Sequence, residues 1–168
     1  MRSSRVKTLL IAVLGLASVG MMSAAWDYDS IASQPILPSV NSFDVQQVNR
    51  TLLEMVDKWN AHDLDAFLEY FWKSPDLVVV SEAQQFSGWQ ELHDTYMRGF
   101  HNRDEMGRIV QSRIQIRMVR SDLAFALTYW TVSFPTSKRV VVGMDTNYLQ
   151  RFGNDWKIVT GHSSSAEM

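Results

Sequence analysis

His162 has the side-chain type that proton transfer requires, and it is the one histidine that falls within a predicted strand. The other three fall in a turn, a helix and the end of a helix. An imidazole that faces an enclosed pocket can act as a general base or hydrogen-bond an oxyanion. The alternative is a core histidine whose nitrogens are satisfied by backbone groups or by a neighbour such as Ser164.

Asp145 is the second candidate, because it is the only carboxylate in the interior of a predicted strand. This strand should form a hairpin with the strand that carries His162. An Asp–His pair inside an apolar cavity would have shifted pKa values and could transfer protons. Both faces of the Asp145 strand are mixed in character, however, so alternation does not reveal which one is buried. General burial statistics favour an outward, solvated Asp145.

Aromatic side chains are plentiful and could line a cavity that accepts a flat or hydrophobic ligand. Most aromatic residues in a domain of this size belong simply to the core. Tyr129 and Trp130 are adjacent on one strand, so only one of them can face the cavity. The predicted ligand-binding set is Trp59, Tyr70, Tyr96, Trp130, Tyr148 and Ser164.

Motifs for metals and cofactors are missing from the sequence. The absence of cysteine excludes disulfides, thiol catalysis and cysteine-ligated zinc. No two histidines have the spacing of a ligand pair on one helix or hairpin. The nucleophile elbow, the phosphate-binding loop and the dinucleotide fingerprint are absent as well. We therefore predict no metal and no cofactor.

The first 25 residues are predicted to form a cleavable signal peptide. A basic start precedes an apolar run from Leu9 to Met22, and Ser23-Ala24-Ala25 supplies the small residues that a signal peptidase reads. The run is short for a membrane span of roughly 20 residues. We expect cleavage before Trp26, export to the periplasm or secretion, and no stable membrane anchoring afterwards.

Charge excludes nucleic acid as a partner. The sequence has 16 basic and 18 acidic residues, and three of the basic ones (Arg2, Arg5 and Lys7) lie in the predicted signal peptide. The remaining 13 basic residues leave a net charge of −5. Because no basic stripe remains to neutralise phosphates, we expect no nucleic-acid binding.

Residues 26–42 contain two prolines and no periodicity, which indicates an extended arm before a single domain at 43–168. Apolar residues at helical spacing predict a first helix that ends near Asn60. Asp63 is a good N-cap for a short second helix. A capping-box pattern that begins at Ser87 opens a third.

Strands dominate the rest of the domain. A short strand at Leu77–Ser81 precedes the third helix, and four long strands follow it: Ile109–Val119, Leu123–Phe134, Arg139–Phe152 and Trp156–Ser164. Helices followed by hairpin-linked strands are typical of the α+β class. The predicted fold is a curved antiparallel sheet wrapped around three N-terminal helices, a cone with an internal pocket.

The order of elements resembles the nuclear transport factor 2-like superfamily, which includes ketosteroid isomerase, scytalone dehydratase and the SnoaL-like polyketide cyclases. WKIVTGHSS at Trp156–Ser164 is similar to the closing strand of many SnoaL-like proteins and to the end of the association domain of calcium/calmodulin-dependent kinase II. MGRIV at Met106–Val110 and Gly88 also fit. The resemblance spans roughly Phe43 to Ser164 and implies the cone fold, a pocket-facing His162 and dimerisation. The pocket residues of the isomerase and the dehydratase are not reproduced.

Three functions fit these patterns, because one fold hosts many activities. The first is a cofactor-independent lyase, isomerase or cyclase that uses general acid–base catalysis on a hydrophobic or aromatic substrate. The second is a non-catalytic protein that binds a small hydrophobic molecule, and the third is a dimeric interaction module. An inward Asp145 bonded to His162 would favour the first, a wide apolar cavity the second, and a filled cavity the third. We expect a ligand-binding or enzymatic cone that forms a symmetric homodimer.

Overall fold

The computed structural model describes residues 42–100 and 103–168. The predicted signal peptide and all but the last residue of the predicted arm lie outside the described residues. Within these two ranges, no helix is long and apolar enough to cross a membrane.

Three helices form one layer of the domain: α1 (Ser42–Asn60), α2 (Leu64–Leu68) and α3 (Trp89–Gly99). A single-turn helix, α4 (Arg103–Met106), precedes the long strands. The N-cap prediction for α2 is confirmed, because the Ala66 N–H donates to the Asp63 carboxylate at 3.0 Å. This bond satisfies one of the amides that the first turn of a helix leaves free.

The start of α3 differs from the prediction. Its N-cap is Gly88 with φ of 88°, and no side chain caps the helix there. Ser87 belongs instead to a short strand, and its N–H donates to the Glu91 carboxylate at 2.8 Å. The capping-box prediction at Ser87 is therefore wrong, since a hairpin extends to the residue before the helix.

Six strands form one sheet in the order β2-β1-β6-β5-β4-β3. Their bounds are β1 Val78–Ser81, β2 Gln84–Ser87, β3 Arg108–Arg120, β4 Leu123–Phe134, β5 Arg139–Phe152 and β6 Asp155–Glu167. The four long strands are joined by antiparallel hairpins, while β1 lies parallel to β6. The predicted α+β fold is confirmed. Strand β2 and the parallel pairing of β1 with β6 were not predicted.

One face of this sheet packs against the helices, and we call it the inner face. The core lies between them, and its most completely buried side chains include Leu52, Leu68, Leu92, Leu149 and Ile158. The opposite side, the outer face, carries large exposed side chains such as Met144 and Tyr148. Because side chains alternate along a strand, each long strand contributes to both faces.

A β-bulge in β6 determines which of its side chains reach the inner face. From the turn to the Leu149–Ile158 pair, β5 and β6 run in simple register. Beyond that pair the register shifts by one residue, with Val159 as the extra residue in β6. A shift of one residue changes the partner of every residue that follows. The fold thereby sets the surroundings of the two predicted catalytic residues.

Candidate functional site

A cavity of about 410 Å³ lies between the inner face and the helices. This volume is within the range of small-molecule sites. The charged residues Glu82, Glu105 and Arg139 are among those that line it. Its walls are largely aromatic and include Trp59, Phe67, Phe71, Tyr96, Phe100 and Trp130.

Asp145 lies on the inner face and lines this cavity. Its cross-strand partners are Thr128 on β4 and Ser163 on β6. The Trp130 indole Nε1 donates to Asp145 Oδ1 at 2.8 Å, and the Thr128 hydroxyl donates to Oδ2 at 3.4 Å. The Ser163 side chain, opposite Asp145 on β6, also favours the charged form of this carboxylate. The expectation of an outward, solvated Asp145 is therefore wrong.

Burial raises the pKa of the Asp145 carboxyl above its usual range. The hydrogen bonds from Trp130, Ser163 and Thr128 act in the opposite direction, because they stabilise the charged form. A carboxylate with a raised pKa binds a proton more readily at neutral pH than a solvated one. Such a group in a cavity is suited to general acid–base chemistry.

Tyr96 brings a phenol from α3 into the same cavity. Its ring packs near Phe67 and Phe100, at centroid distances of 6.1 and 5.6 Å. Burial raises the pKa of Tyr96 to about 12, and the charge of Asp145 adds to the increase. The phenol therefore stays protonated at neutral pH. Its hydroxyl forms no hydrogen bond within the described ranges, so it can serve a ligand.

His162 occupies a different position from the one predicted. It pairs with Thr146 on β5 and Val80 on β1, a row on the outer face, and its side chain is exposed. It is nevertheless among the residues that line the cavity, between Gly161 and Ser163. His162 is not the inward-facing partner of Asp145 that the resemblance implies, because the bulge places Ser163 opposite the carboxylate. The His162 charge only lowers the Asp145 pKa from a distance.

The predicted ligand-binding residues divide into two groups. Trp59, Tyr96 and Trp130 line the cavity as predicted. The other three lie elsewhere, and their prediction is wrong. Tyr70 lines an open groove beside the β5–β6 turn, Tyr148 packs against Phe125 on the outer face, and Ser164 pairs with Met144 there.

The surroundings of Asp145 also include Thr128, Ser163 and Gly143. None of these was among the predicted site residues. A signal for two of them was present in the sequence. The predicted strand ends Phe134 and Arg139 face each other across their turn. Counting back from this pair along an unbroken hairpin places Thr128 opposite Asp145 and Trp130 opposite Gly143.

The arrangement combines a desolvated carboxylate with a neutral phenol in one apolar cavity. The carboxylate can take or return a proton, and the phenol can donate a hydrogen bond to an oxygen on which negative charge develops. Among the described residues, no group of three or more His, Asp or Glu side chains is arranged to hold a metal ion.

The sequence profile of the SnoaL-like domain family matches residues 45–168. No protein among those with curated functions matches the sequence. A solved structure of an NTF-2-like protein of unknown function from Shewanella oneidensis MR-1 superposes with a TM-score of 0.67 at 23% identity, covering 72% of this chain and 98% of that chain.

Two further solved structures share the fold at lower identity. A candidate scytalone dehydratase from Novosphingobium aromaticivorans DSM 12444 has a TM-score of 0.61 at 12% identity, with 76% of this chain and 87% of that one covered. A candidate calcium/calmodulin-dependent protein kinase II association domain from Xanthomonas campestris has a TM-score of 0.58 at 14% identity, covering 71% and 85%. At these identities the likeness establishes the fold alone.

Proposed function

The chain belongs to the SnoaL-like domain family, and from that premise we propose that it binds a small, largely apolar molecule and moves a proton within it through Asp145. The observation that carries the proposal is the desolvated Asp145 carboxylate, held in an aromatic cavity that also contains the neutral Tyr96 phenol. The reaction class is acid–base chemistry without a cofactor.

The proposed step begins with Asp145 as the base. Its carboxylate takes a proton from a carbon next to a carbonyl group of the ligand, and the electron pair moves onto the carbonyl oxygen. Tyr96 donates a hydrogen bond to that oxygen and stabilises its charge. Asp145 then returns the proton to another position of the ligand, or to a hydroxyl that leaves as water. The first outcome is an isomerisation and the second an elimination.

The charges of the cavity favour a ligand without negative charge. Three carboxylates line it, those of Asp145, Glu82 and Glu105. Among the described residues, Arg139 is the one arginine that lines this cavity, and its guanidinium lies over the Phe134 ring at 4.1 Å. We therefore propose an uncharged ring compound with a carbonyl or hydroxyl group.

One observation favours a second candidate, a non-catalytic binder. Both oxygens of Asp145 already accept hydrogen bonds from the protein, at 2.8 Å from Trp130 and 3.4 Å from Thr128. A carboxylate held in this way could serve only to orient a ligand hydroxyl. The two candidates differ in whether bound ligand exchanges a proton.

Native mass spectrometry of the purified protein, followed by identification of any co-purified small molecule, tests ligand binding. A ketone found in this way, or by thermal-shift screening of uncharged bicyclic ketones, is then incubated with the protein in D₂O. We expect deuterium uptake next to the carbonyl with the wild type and none above background with Asp145→Asn. Binding without uptake would support the non-catalytic candidate, and equal uptake by Asp145→Asn would contradict the proposed role.

We also propose a symmetric homodimer that forms through the outer face. Met144 and Tyr148 expose 43% and 42% of their surface on this face, where a second copy would cover them. Tyr148→Asp should convert the dimer to a monomer in analytical ultracentrifugation. Met97→Asp, at an exposed apolar position on α3, is the matched control and should leave the dimer intact. A monomeric wild type at high micromolar concentration would contradict the proposal.

The N-terminal sequence supports the further proposal that the protein acts after export. A basic start, a short apolar run and Ser23-Ala24-Ala25 are typical of a signal peptide. N-terminal sequencing of the secreted or periplasmic fraction should give Trp26 as the first residue. A full-length chain retained in the membrane would contradict this proposal.

A further inference from the structure

We propose that Gly143 and Trp130 together position the Asp145 carboxylate. Gly143 provides the space in which the Trp130 indole lies, and the indole N–H holds Oδ1, so that Oδ2 is the oxygen that exchanges a proton with the ligand. The role of Oδ2 rests on the proposed function. The positioning itself rests on geometry that can be tested without a ligand.

The space above Gly143 is the first observation. Gly143 on β5 pairs directly with Trp130 on β4. A Cβ atom added to Gly143 would lie 2.4 Å from Trp130 Cζ2 and 2.6 Å from Cη2, and also 2.6 Å from the Ser164 carbonyl oxygen. These distances are far shorter than the roughly 3.5–4.0 Å at which carbon atoms pack. Only glycine at position 143 therefore allows the indole to lie where it does.

The direction of the indole is the second observation. With its benzene ring over Gly143, Trp130 points its Nε1 at Oδ1 of Asp145, two residues further along β5, at 2.8 Å. An N–H bond of this length to a carboxylate is a strong, charge-assisted hydrogen bond. The indole N–H is only a donor and cannot turn to accept. It therefore fixes one oxygen of the carboxylate.

The other oxygen has a weaker partner. The Thr128 hydroxyl donates to Oδ2 at 3.4 Å, which is long for a bond between two oxygens. A hydroxyl can rotate and accept instead of donate, so both Thr128 and Ser163 can release the carboxylate when a ligand proton arrives. This asymmetry assigns proton exchange to Oδ2.

Carbon-13 NMR titration of the Asp145 carboxyl in the purified protein tests the assignment, with the signal identified by its loss in Asp145→Asn. Trp130→Phe removes the N–H and keeps most of the ring. Because it deletes a bond to the charged form, we expect the Asp145 pKa to rise by about one unit or more. Gly143→Ala displaces the indole and should shift the pKa in the same direction. Thr128→Val should shift it less than Trp130→Phe.

Two matched controls accompany these variants. Trp72→Phe makes the same change at a tryptophan outside the cavity lining, and Gly99→Ala adds a methyl group where no atom lies within 4 Å. Both should leave the Asp145 pKa unchanged. If Gly143→Ala does not fold, Trp130→Phe decides the question alone. An unchanged pKa in Trp130→Phe, or a larger shift in Thr128→Val, would overturn the proposal.

These titrations separate the positioning from the proposed function. A raised pKa in Trp130→Phe supports the positioning even if Asp145→Asn retains deuterium uptake, a result that would refute the catalytic role alone. An unchanged pKa together with lost uptake in Asp145→Asn would refute the positioning alone.

Discussion

The inner and outer faces of one sheet differ sharply, although the same strands supply both. On the inner face, Thr128, Asp145 and Ser163 form one row across three strands, and Asp145 and Ser163 line the largely apolar cavity. On the outer face, the neighbouring row places His162 beside Thr146, and its imidazole is exposed. The one-residue register shift in β6 thus leaves Asp145 and His162 on opposite faces of the sheet, the first desolvated and the second exposed.

In this comparison, position on the sheet, more than residue type, determines which ionisable group is buried beside the cavity. Histidine is the side-chain type most often used for proton transfer at neutral pH, but His162 is exposed and pairs in a row of the outer face. A carboxyl in water has a pKa too low for proton transfer at neutral pH. Burial raises the pKa of Asp145 in the direction that acid–base catalysis requires.

The largest expected effect is a loss of stability when a side chain on the inner face is truncated, compared with a truncation on the outer face. Leu149 is fully buried on the inner face, whereas its neighbour Tyr148 is 42% exposed on the outer face. Leu149→Ala should lower the free energy of unfolding by about 2–5 kcal/mol because it leaves a cavity in the core. Tyr148→Ala should cost less than about 1 kcal/mol in the monomer.

Urea denaturation at low protein concentration measures both variants, since dilution removes any contribution from the proposed dimer. Equal losses in the two variants would contradict the assignment of the faces.

A smaller effect concerns His93, which links two helices away from the sheet. Its ring nitrogens lie 3.1 Å from Asp94 on α3 and 3.2 Å from Asp65 on α2. The hydrogen bond with Asp94 raises the pKa of His93, and the bond with Asp65 adds to it. The stability that results is present below the unfolded pKa of about 6.5 and is lost as pH rises through the higher folded value.

His93→Gln should therefore melt at a slightly lower temperature than the wild type near pH 6. The difference should vanish above the folded pKa, and thermal melts across this pH range measure it. The site is partly exposed, so the expected difference is small. A difference that does not depend on pH would indicate that His93 acts through packing on Trp89 instead.

The smallest expected effect is that of His162→Ala. Because the imidazole lies on the outer face, the substitution should leave ligand affinity and deuterium uptake unchanged in a titration run beside Asp145→Asn. Loss of uptake in His162→Ala with the melting temperature preserved would restore the histidine as a functional group and contradict the geometry described above.

Much of the fold could be predicted from the sequence, because hydrophobic periodicity and turn residues are local signals. The bounds of β4 and β5 were predicted to the residue, as was the Asp63 cap. Strand β2 was missed because QQFS buries only Phe86 and has no alternation to detect. It pairs with β1 in a tight antiparallel hairpin, with Ser81 opposite Gln84.

The site could be predicted only in part, and the β6 bulge explains the difference. Counting back from the β5–β6 turn in simple register would place His162 opposite Asp145, which agrees with the predicted pair. The extra residue Val159 shifts this register, so Ser163 takes that place. The β4–β5 hairpin has no shift, and the same count there finds Thr128 and Gly143 correctly.

The pH dependence of stability in Asp145→Asn tests the central claim, that Asp145 is a desolvated carboxylate kept in the cavity, most directly. The pKa of Asp145 is higher in the folded protein than in the unfolded chain, so stability is lost as pH rises through the folded value. Asn keeps the shape without the charge. We predict that Asp145→Asn melts above the wild type near pH 8 and that the difference shrinks as pH falls. A wild type more stable than Asp145→Asn near pH 8 would contradict the account, because the charge would then stabilise the fold.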